Sequence, residues 1–488
     1  MINLPDQIRT KIVDTNSRFF GVPEEKLMTR AGQQTLGVLK KSFRLETWRI
    51  KPKQKKKKVK KVQIFCGTGG NGGDGFALAY ELLKINIPVE VILAKAPENI
   101  RSKAAYSHFA KLPLRIIKIF SEETVLNGDL LIDAMLGVGA TGVLQKPYAD
   151  LARRINQTKA RVVSLYLPTP GLKSDLIISY HFKKKTRSQA RQVVVDIGVP
   201  QAAEETIGPG DFLYNFPKRR VTSHKGHNGR LVVIGGSRQY FGAPILAAQA
   251  AANLGCDLVH LFVPATNLAA TRAISLDFLT YSLTNEADSL IGQDVKKIVK
   301  FVNKNADACL LGPGLGHDQE TKEAVIDILA KIKKPTVVDA DAILFYKNYK
   351  KLPEKVIFTT HAGEFKRLTG ESPRLSEPTF KKQILRLAKK IKATILLKGT
   401  TDFIASLDGQ TKKNITGNAN LTVGGTGDIL AGVVGSFLAR GLSPGWAGLL
   451  GAFLLGVTGD ELRSEKKIFT ASDVLYELPW VVKKIMEF

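Results

Sequence analysis

Asn418-Ala-Asn-Leu-Thr-Val-Gly-Gly-Thr-Gly-Asp428 runs straight into the apolar stretch Ile429-Leu-Ala-Gly-Val-Val-Gly-Ser-Phe-Leu438. A polar, glycine-rich loop thus opens an apolar helix. Glycines at 424, 425 and 427 let backbone N–H groups turn outward without a Cβ in the way. The helix start adds unpaired donors and the positive end of its dipole, which together suit a phosphate. Asp428 sits where that anion hole meets the helix, within reach of a hydroxyl lying beside a bound phosphate. The chemistry this predicts is a phosphate and a substrate hydroxyl brought together, with Asp428 as general base. A helix N-terminus carrying a capping Asp is the plainer alternative.

Elements that could position such a loop recur along the chain. Residues 6–16 and 23–39 have apolar positions at helical spacing. An apolar strand at 62–65 ends in Cys66-Gly-Thr-Gly-Gly-Asn-Gly-Gly-Asp-Gly75, followed by a helical pattern over 76–84 and a strand at 89–93. Strand, glycine loop, helix and strand make a βαβ unit, with its ligand expected at the carboxyl end of the first strand. Further strands fit 130–134, 161–167, 176–180 and 192–196. Residues 208–223, rich in Gly, Pro and charge, break the pattern and read as a linker. A second series then opens with strands at 231–234 and 258–263 around an alanine-rich helix at 243–254. It continues through strand-then-loop segments at 308–316, 335–341, 356–364 and 393–400. Apolar strands alternating with helices predict parallel sheets covered on both faces. The fold class expected is α/β, with two three-layer α/β/α domains over 1–207 and 224–488.

The bulk numbers set limits. A chain of 488 residues exceeds one ordinary core. No apolar run reaches the ~20 residues that span a bilayer. The N-terminus lacks a basic-then-apolar signal pattern. Cys66, Cys256 and Cys309 lack metal-like spacing and read as core residues in a reducing compartment, so a cytoplasmic protein is expected. Part of the net charge of +28 lies in one dense run, Lys51-Pro-Lys-Gln-Lys-Lys-Lys-Lys-Val-Lys-Lys61, and the remainder is spread over helix faces and loops. It has no interleaved aromatics on which bases could stack, and it leads directly into a strand. A solvated loop, not a nucleic-acid platform, is the expectation.

The motifs of the second half carry a resemblance. They are His224-Lys-Gly-His-Asn-Gly-Arg230, Gly235-Gly-Ser-Arg-Gln-Tyr-Phe-Gly-Ala243, Gly312-Pro-Gly-Leu-Gly316, Val338-Asp-Ala-Asp-Ala342, His361-Ala-Gly-Glu-Phe365, Lys398-Gly399 and Gly424-Gly-Thr-Gly-Asp428. In this order they resemble the ADP-dependent NAD(P)H-hydrate dehydratases, which have a ribokinase-like fold. That family returns the C6-hydrated form of NADH or NADPH to the intact cofactor. The resemblance implies that ADP, with Mg2+, phosphorylates the ring hydroxyl of the S form and that phosphate then leaves, giving AMP. It implies that Ala243, Gly316 and His361 line the hydrated nucleotide and that Asp428 is the catalytic carboxylate, also touching substrate. Lys398, Gly399, Thr400, Thr401, Asp402 and Gly427 correspond to the nucleotide cradle. Where the family commonly shows Lys-Gly-x-Gly-Thr, this chain has Lys398-Gly-Thr-Thr-Asp402. Relatives of this domain suggest a homo-oligomer. On the residues alone, His361 could be structural, and Asp339 and Asp341 could cap a helix.

The first half resembles the NAD(P)H-hydrate epimerases, which interconvert the R and S hydrates and have a Rossmann-like fold. Their Asn-Asn-Gly-Gly-Asp loop appears as Gly70-Asn71-Gly72-Gly73-Asp74, and a second loop as Asp133-Ala-Met-Leu-Gly137-Val138-Gly139. The family end appears as Val195-Asp-Ile-Gly-Val-Pro200. These imply substrate contacts from both loops and a potassium ion at Asn71, Asp133 and Thr169. One motif departs: the family's Asp-Ile-Pro-Ser-Gly stands here as Tyr166-Leu-Pro-Thr169-Pro-Gly171. Tyr166 takes the substrate-contacting place of the acid/base Asp. A phenol, with an ordinary pKa near ~10, is no carboxylate base at neutral pH. Loss of such a base costs roughly 10²–10⁴-fold, so a weak or inactive epimerase is expected. Vitamin and sugar kinases of ribokinase type would use the same Asp to make a stable phosphorylated alcohol, and fold alone does not separate them. A decayed enzyme serving as a binding protein is a third reading, which the intact 424–428 loop opposes.

Overall fold

The computed structural model describes residues 4–45, 58–137, 139, 143–284, 288–373, 379–407, 409 and 411–488. The chain forms two compact units, one running to Glu204 and the other from Glu205 to Phe488.

The first unit is built on a seven-stranded parallel sheet. Its order is Ile117–Ile119, Val89–Leu93, Val62–Cys66, Leu130–Ala134, Arg161–Leu165, Leu176–Tyr180, Arg191–Val195. Val62–Cys66 and Leu130–Ala134 are buried along their whole length, as a sheet covered on both faces requires. Successive side chains feed opposite layers: Ile64 and Cys66 enter one apolar cluster, and Phe65 enters the other. The strand order reverses between Val62–Cys66 and Leu130–Ala134. That opens a crevice at their carboxyl ends, where both predicted glycine loops lie.

The helix expected at 76–84 in fact begins at Gly70 and runs to Lys84. Glycines that read as loop residues are helical, in a helix pressed closely against the strand end. A Cβ on Gly72 would lie 2.0 Å from Gly67 O, and one on Gly75 would lie 2.7 Å from Cys66 Sγ. The glycines therefore let the helix sit on the strand, and they place Asn71 and Asp74 on its first turns.

The second unit carries nine strands. Their order is Leu279–Ser282, Leu258–Val263, Arg230–Ile234, Ala308–Leu311, Thr336–Asp339, Val356–Thr360, Thr394–Leu397, Asp402–Ala405, Thr411–Asn414. The expectation of a parallel sheet fails at one end, where Asp402–Ala405 and Thr411–Asn414 run antiparallel. The connection between Leu397 and Asp402 is too short for a crossover helix, so the chain can only turn back. The order reverses between Arg230–Ile234 and Ala308–Leu311. Leu231 and Val233 pack into one layer, Val232 and Ile234 into the other. The helix Thr426–Ala439 is buried almost throughout and lies tight on Gly242–Asn253. A Cβ on Gly432 would sit 2.1 Å from Ala247 O.

The segment 208–223 is not a free link. Its first part is the helix Pro209–Asn215, with Asp211 and Phe212 fully buried in the second unit. Lys412 Nζ reaches Asp211 Oδ1 at 2.6 Å and Oδ2 at 2.8 Å. The Gly/Pro composition marks the entry to a helix, with Pro at its first turn.

Of the lysine run, residues 51–57 lie outside the described part. Its end is tied into the sheet, where Lys60 and Lys61 donate backbone N–H groups to Asp129 at 2.8 and 3.0 Å. Cys66, Cys256 and Cys309 are buried and unpaired. Among the described residues no helix is long and apolar enough to cross a membrane.

Candidate functional site

In the second unit the loops at the sheet reversal touch. Gly236 donates its N–H to Pro313 O at 2.9 Å, and a Cβ on Gly235 would lie 2.4 Å from that oxygen. Gly314 and Gly316 take left-handed φ values of +66° and +81°. A Cβ on Gly314 would come within 3.4 Å of Ala243 Cβ, so the predicted Ala243 and Gly316 segments share one wall. Gly312, at φ +140°, presses on the next strand end, where a Cβ would lie 1.8 Å from Asp339 O.

That strand end holds a charge cluster. Asp339 is buried, accepts Thr359 Oγ1 at 2.6 Å and lies 3.4 Å from Lys398 Nζ. Burial works against the Lys398 charge, but Asp339 and Glu364 outweigh it and hold its pKa above the ordinary value. Asp341 accepts the Gly316 N–H at 2.9 Å, joining the charge cluster to the glycine wall. Burial raises its pKa. Asp339 and Asp341 are thus not mere caps.

His361 does cap a helix. Its Nδ1 accepts from Gly363 N at 3.0 Å and Glu364 N at 3.4 Å, while Glu364 accepts the His361 N–H at 2.8 Å. This reciprocal pairing is a capping box. It leaves the His361 proton on Nε2, on a largely exposed ring. Burial and then Lys398 lower its pKa, with Asp339 opposing. Glu364 is pushed up to about 7, mainly by burial.

The Thr426–Ala439 helix starts differently. Gly425 takes φ +95° and no side chain caps the first turn. Thr426 Oγ1 instead pins the loop by donating to Leu421 O at 2.7 Å and Val423 O at 3.0 Å. The first-turn N–H groups are left to bind an anion. A Cβ on Gly427 would lie 3.6 Å from Lys398 Nζ, so the ammonium flanks that anion site. Asp428, half-buried beside it, is pushed up to about 7 by burial and then by Asp339, with Lys398 opposing.

The rest of the predicted cradle is a tight turn. Asp402 accepts Gly399 N at 3.0 Å and Asn414 Nδ2 at 3.0 Å, so its carboxylate holds the turn closed. Thr400 is exposed and Thr401 half-buried.

In the first unit a pocket of about 600 Å³ lies at the sheet reversal. Gly70, Asn71, Asp74, Gly137, Gly139 and Tyr166 line it. Val138 lies outside the described residues. Gly72 and Gly73 lie behind the wall: a Cβ on Gly73 would meet Met28 Sδ at 2.5 Å. Asp133 and Thr169 are buried. Asp133 accepts Thr169 N, Thr169 Oγ1 and Ser164 Oγ, each at 2.8 Å, and Met135 N at 3.2 Å. Tyr166 sits at φ +62°, with its ring edge-on to Tyr180 at 4.7 Å. Burial, then Asp74, Asp14 and Glu24, hold its phenol well above its ordinary pKa.

The two parts of the chain match known families. The model of the NAD(P)H-hydrate dehydratases matches residues 231–479, and that of the YjeF-related protein N-terminus matches residues 24–180. The chain is 33% identical to the bifunctional NAD(P)H-hydrate repair enzyme Nnr of Pyrobaculum aerophilum, over 98% of this chain and 97% of that one. The chain belongs to the bifunctional NAD(P)H-hydrate repair enzymes. The Hyperthermus butylicus member is 34% identical over 98% of this chain and 91% of its own. A ribokinase-like superfamily protein of Enterococcus faecalis superposes with a TM-score of 0.52 at 27% identity, covering 58% of this chain and 97% of that one. The ADP/ATP-dependent NAD(P)H-hydrate dehydratase of Bacillus subtilis, co-crystallised with ATP and Mg2+, does so at 0.51 and 26%, covering 58% and 99%. The chain is thus a nicotinamide-cofactor repair enzyme, with a ribokinase-like second part.

Sequence reading missed two members of these sites and left a third, Asp339, open between a helix cap and a site residue. Glu364 stood inside a recognised motif but was not singled out for the charge cluster it forms. Asp14, which lines the first pocket, carried no signal beyond one acid on an amphipathic helix.

Proposed function

We propose that Asp428 is the general base of an ADP-dependent dehydration of the S hydrate. The observation carrying this is the uncapped first turn of Thr426–Ala439, with the Lys398 ammonium against Gly427 and the Asp428 carboxyl on the same turn. The turn and Lys398 bind the transferring phosphoryl group, and Asp428 takes the proton of the C6 hydroxyl as that oxygen attacks it. Phosphate then leaves C6 with the C–O bonding pair where hydroxide could not, a C5 proton is lost as its bonding pair forms the C5=C6 double bond of the intact cofactor, and AMP remains. Ala243 and Gly316 form the wall for the hydrated nucleotide, with His361 Nε2 as a donor beside it. Gly399, Thr400 and Thr401, in the turn held by Asp402, line the nucleotide cradle. Mg2+ would enter with the nucleotide phosphates and neutralise their charge; among the described residues no group of three or more His, Cys, Asp or Glu side chains is placed to hold a metal ion by itself.

In the first unit we place the hydrated nucleotide in the pocket between the two glycine loops. Asn71 is 7% exposed and both its polar side-chain atoms lack a partner, which fits an ion awaited there. Asn71 and Thr169, whose hydroxyl spends its proton on Asp133 and keeps its lone pairs, would hold potassium, with Asp133 as anionic support. Potassium would supply positive charge near the substrate's phosphates.

The test is the product set. The S hydrate with ADP should yield NADH, AMP and phosphate in equal amounts. A stable phosphorylated alcohol would contradict the dehydratase reading.

A further inference from the structure

We infer that Asp14 is a catalytic carboxyl of the first unit, acting on the C6 hydroxyl of the hydrate in place of the acid/base position that Tyr166 occupies. This rests on the reading that the first pocket holds the hydrated nucleotide. Asp14 lies on the helix Asp6–Phe19 and lines that pocket together with Glu24, Asp74, Asn71 and Tyr166. Thr10, one turn earlier, lines it too, so one helix face looks into the pocket. Ile12 and Val13 are buried, and Asn16 Nδ2 donates to Ala203 O at 3.1 Å, which fixes the helix and so the carboxyl. The pocket is built for a ligand, because Asn71 points unpartnered polar atoms into it from a buried position.

The surroundings suit proton transfer. Burial, then Glu24, raise the Asp14 pKa to about 7, while Lys184 and His181 pull it down. Lys184 is itself buried, donates to Tyr180 O at 3.2 Å and stands 5.5 Å from the Tyr166 ring centroid. Near neutral pH Asp14 is therefore available in both protonation states, whereas the Tyr166 phenol keeps its proton.

The step balances without a further reagent. C6 of the hydrate bears the hydroxyl and is bonded to the ring nitrogen. The protonated Asp14 gives its proton to that hydroxyl as the C6–O bond breaks. The oxygen leaves as water with the bonding pair, and the ring-nitrogen lone pair forms the C6=N bond. Water adding to the other face re-forms a C6–O bond and returns the pair to nitrogen. The proton it sheds goes to the Asp14 carboxylate. The result is inversion at C6.

The experiment uses the full chain without ADP or ATP, so the dehydration is idle. R hydrate is supplied, and S hydrate is followed by chromatography against the spontaneous rate. The wild type should exceed that rate. Asp14→Asn should fall about 10²-fold or to the spontaneous rate, with hydrate affinity held within about threefold. Asp14→Glu, which keeps a carboxyl, should recover at least about a tenth of the wild-type rate. An Asp14→Asn protein at the wild-type rate would overturn the assignment while leaving the pocket reading intact. So would a wild type that binds hydrate yet matches the spontaneous rate. Loss of affinity in Asp14→Asn would make the carboxyl a binding group and overturn it too. A wild type that neither binds nor interconverts the hydrate would fell the pocket reading and this assignment together.

Discussion

Lys398 Nζ and Asp339 Oδ1 lie 3.4 Å apart at the carboxyl ends of the strands Thr394–Leu397 and Thr336–Asp339, across the intervening strand Val356–Thr360, with both side chains largely or fully buried. The pair sets the charge felt by Asp428, which Asp339 raises and Lys398 lowers. Substitutions at the two positions should therefore move the dehydratase pH profile in opposite directions. Asp339→Asn should shift the rising limb to lower pH. Lys398→Met should shift it upward and cost at least about tenfold in rate at pH 7, since it would also remove the proposed phosphate contact. Shifts of the same sign would disprove the coupling.

A base must be ionised to act, and Asp428 is raised to about 7. The dehydratase rate should therefore climb with pH through about 7 and level off above it. At pH 6 about a tenth of the carboxyl is ionised, so kcat/KM should be about tenfold below its plateau. Asp428→Asn keeps the shape but takes no proton, and should abolish turnover while leaving the melting temperature near that of the wild type. A rate within about tenfold of wild type would remove Asp428 from the base role.

Gly312→Ala should disable the site through backbone alone. The residue stands at φ +140°, and the new Cβ would fall 1.8 Å from Asp339 O. We expect a loss of stability of at least about 1–3 kcal/mol, together with loss of dehydratase activity, measured by denaturant unfolding and by assay of the folded fraction.

The buried Lys412–Asp211 pair ties the helix Pro209–Asn215 to the sheet edge. Lys412→Met strands a buried carboxylate and should cost about 3–5 kcal/mol. Adding Asp211→Leu should return much of it. A single variant as stable as wild type would show that the helix is not anchored there.

Much of this architecture was legible because parallel strands buried on both faces are short apolar runs that end at glycine. The strands expected at 62–65, 130–134 and 231–234 all reappear within a residue at either end, and the strand-then-loop segment 308–316 opens with the strand Ala308–Leu311. Both sites fall at the sheet reversals that flank them. The less legible parts had their cause in tertiary contact. Gly70 to Gly75 looked like a loop because part of what excludes a Cβ there comes from distant side chains, Met28 and Ala105 at Gly73 and Ala134 at Gly75. Residues 209–215 looked like a link because the lysine that anchors Asp211 comes from a strand some two hundred positions later. Asp14 drew no notice, since nothing local reveals that its helix face lines one pocket with Asp74 and Tyr166.

The central claim is tested most directly by the return of the near-ultraviolet absorbance of NADH from its hydrate. With the S form and ADP, absorbance should recover in the wild type and fail to recover in Asp428→Asn. Recovery without any nucleotide, or equal recovery in both proteins, would contradict it.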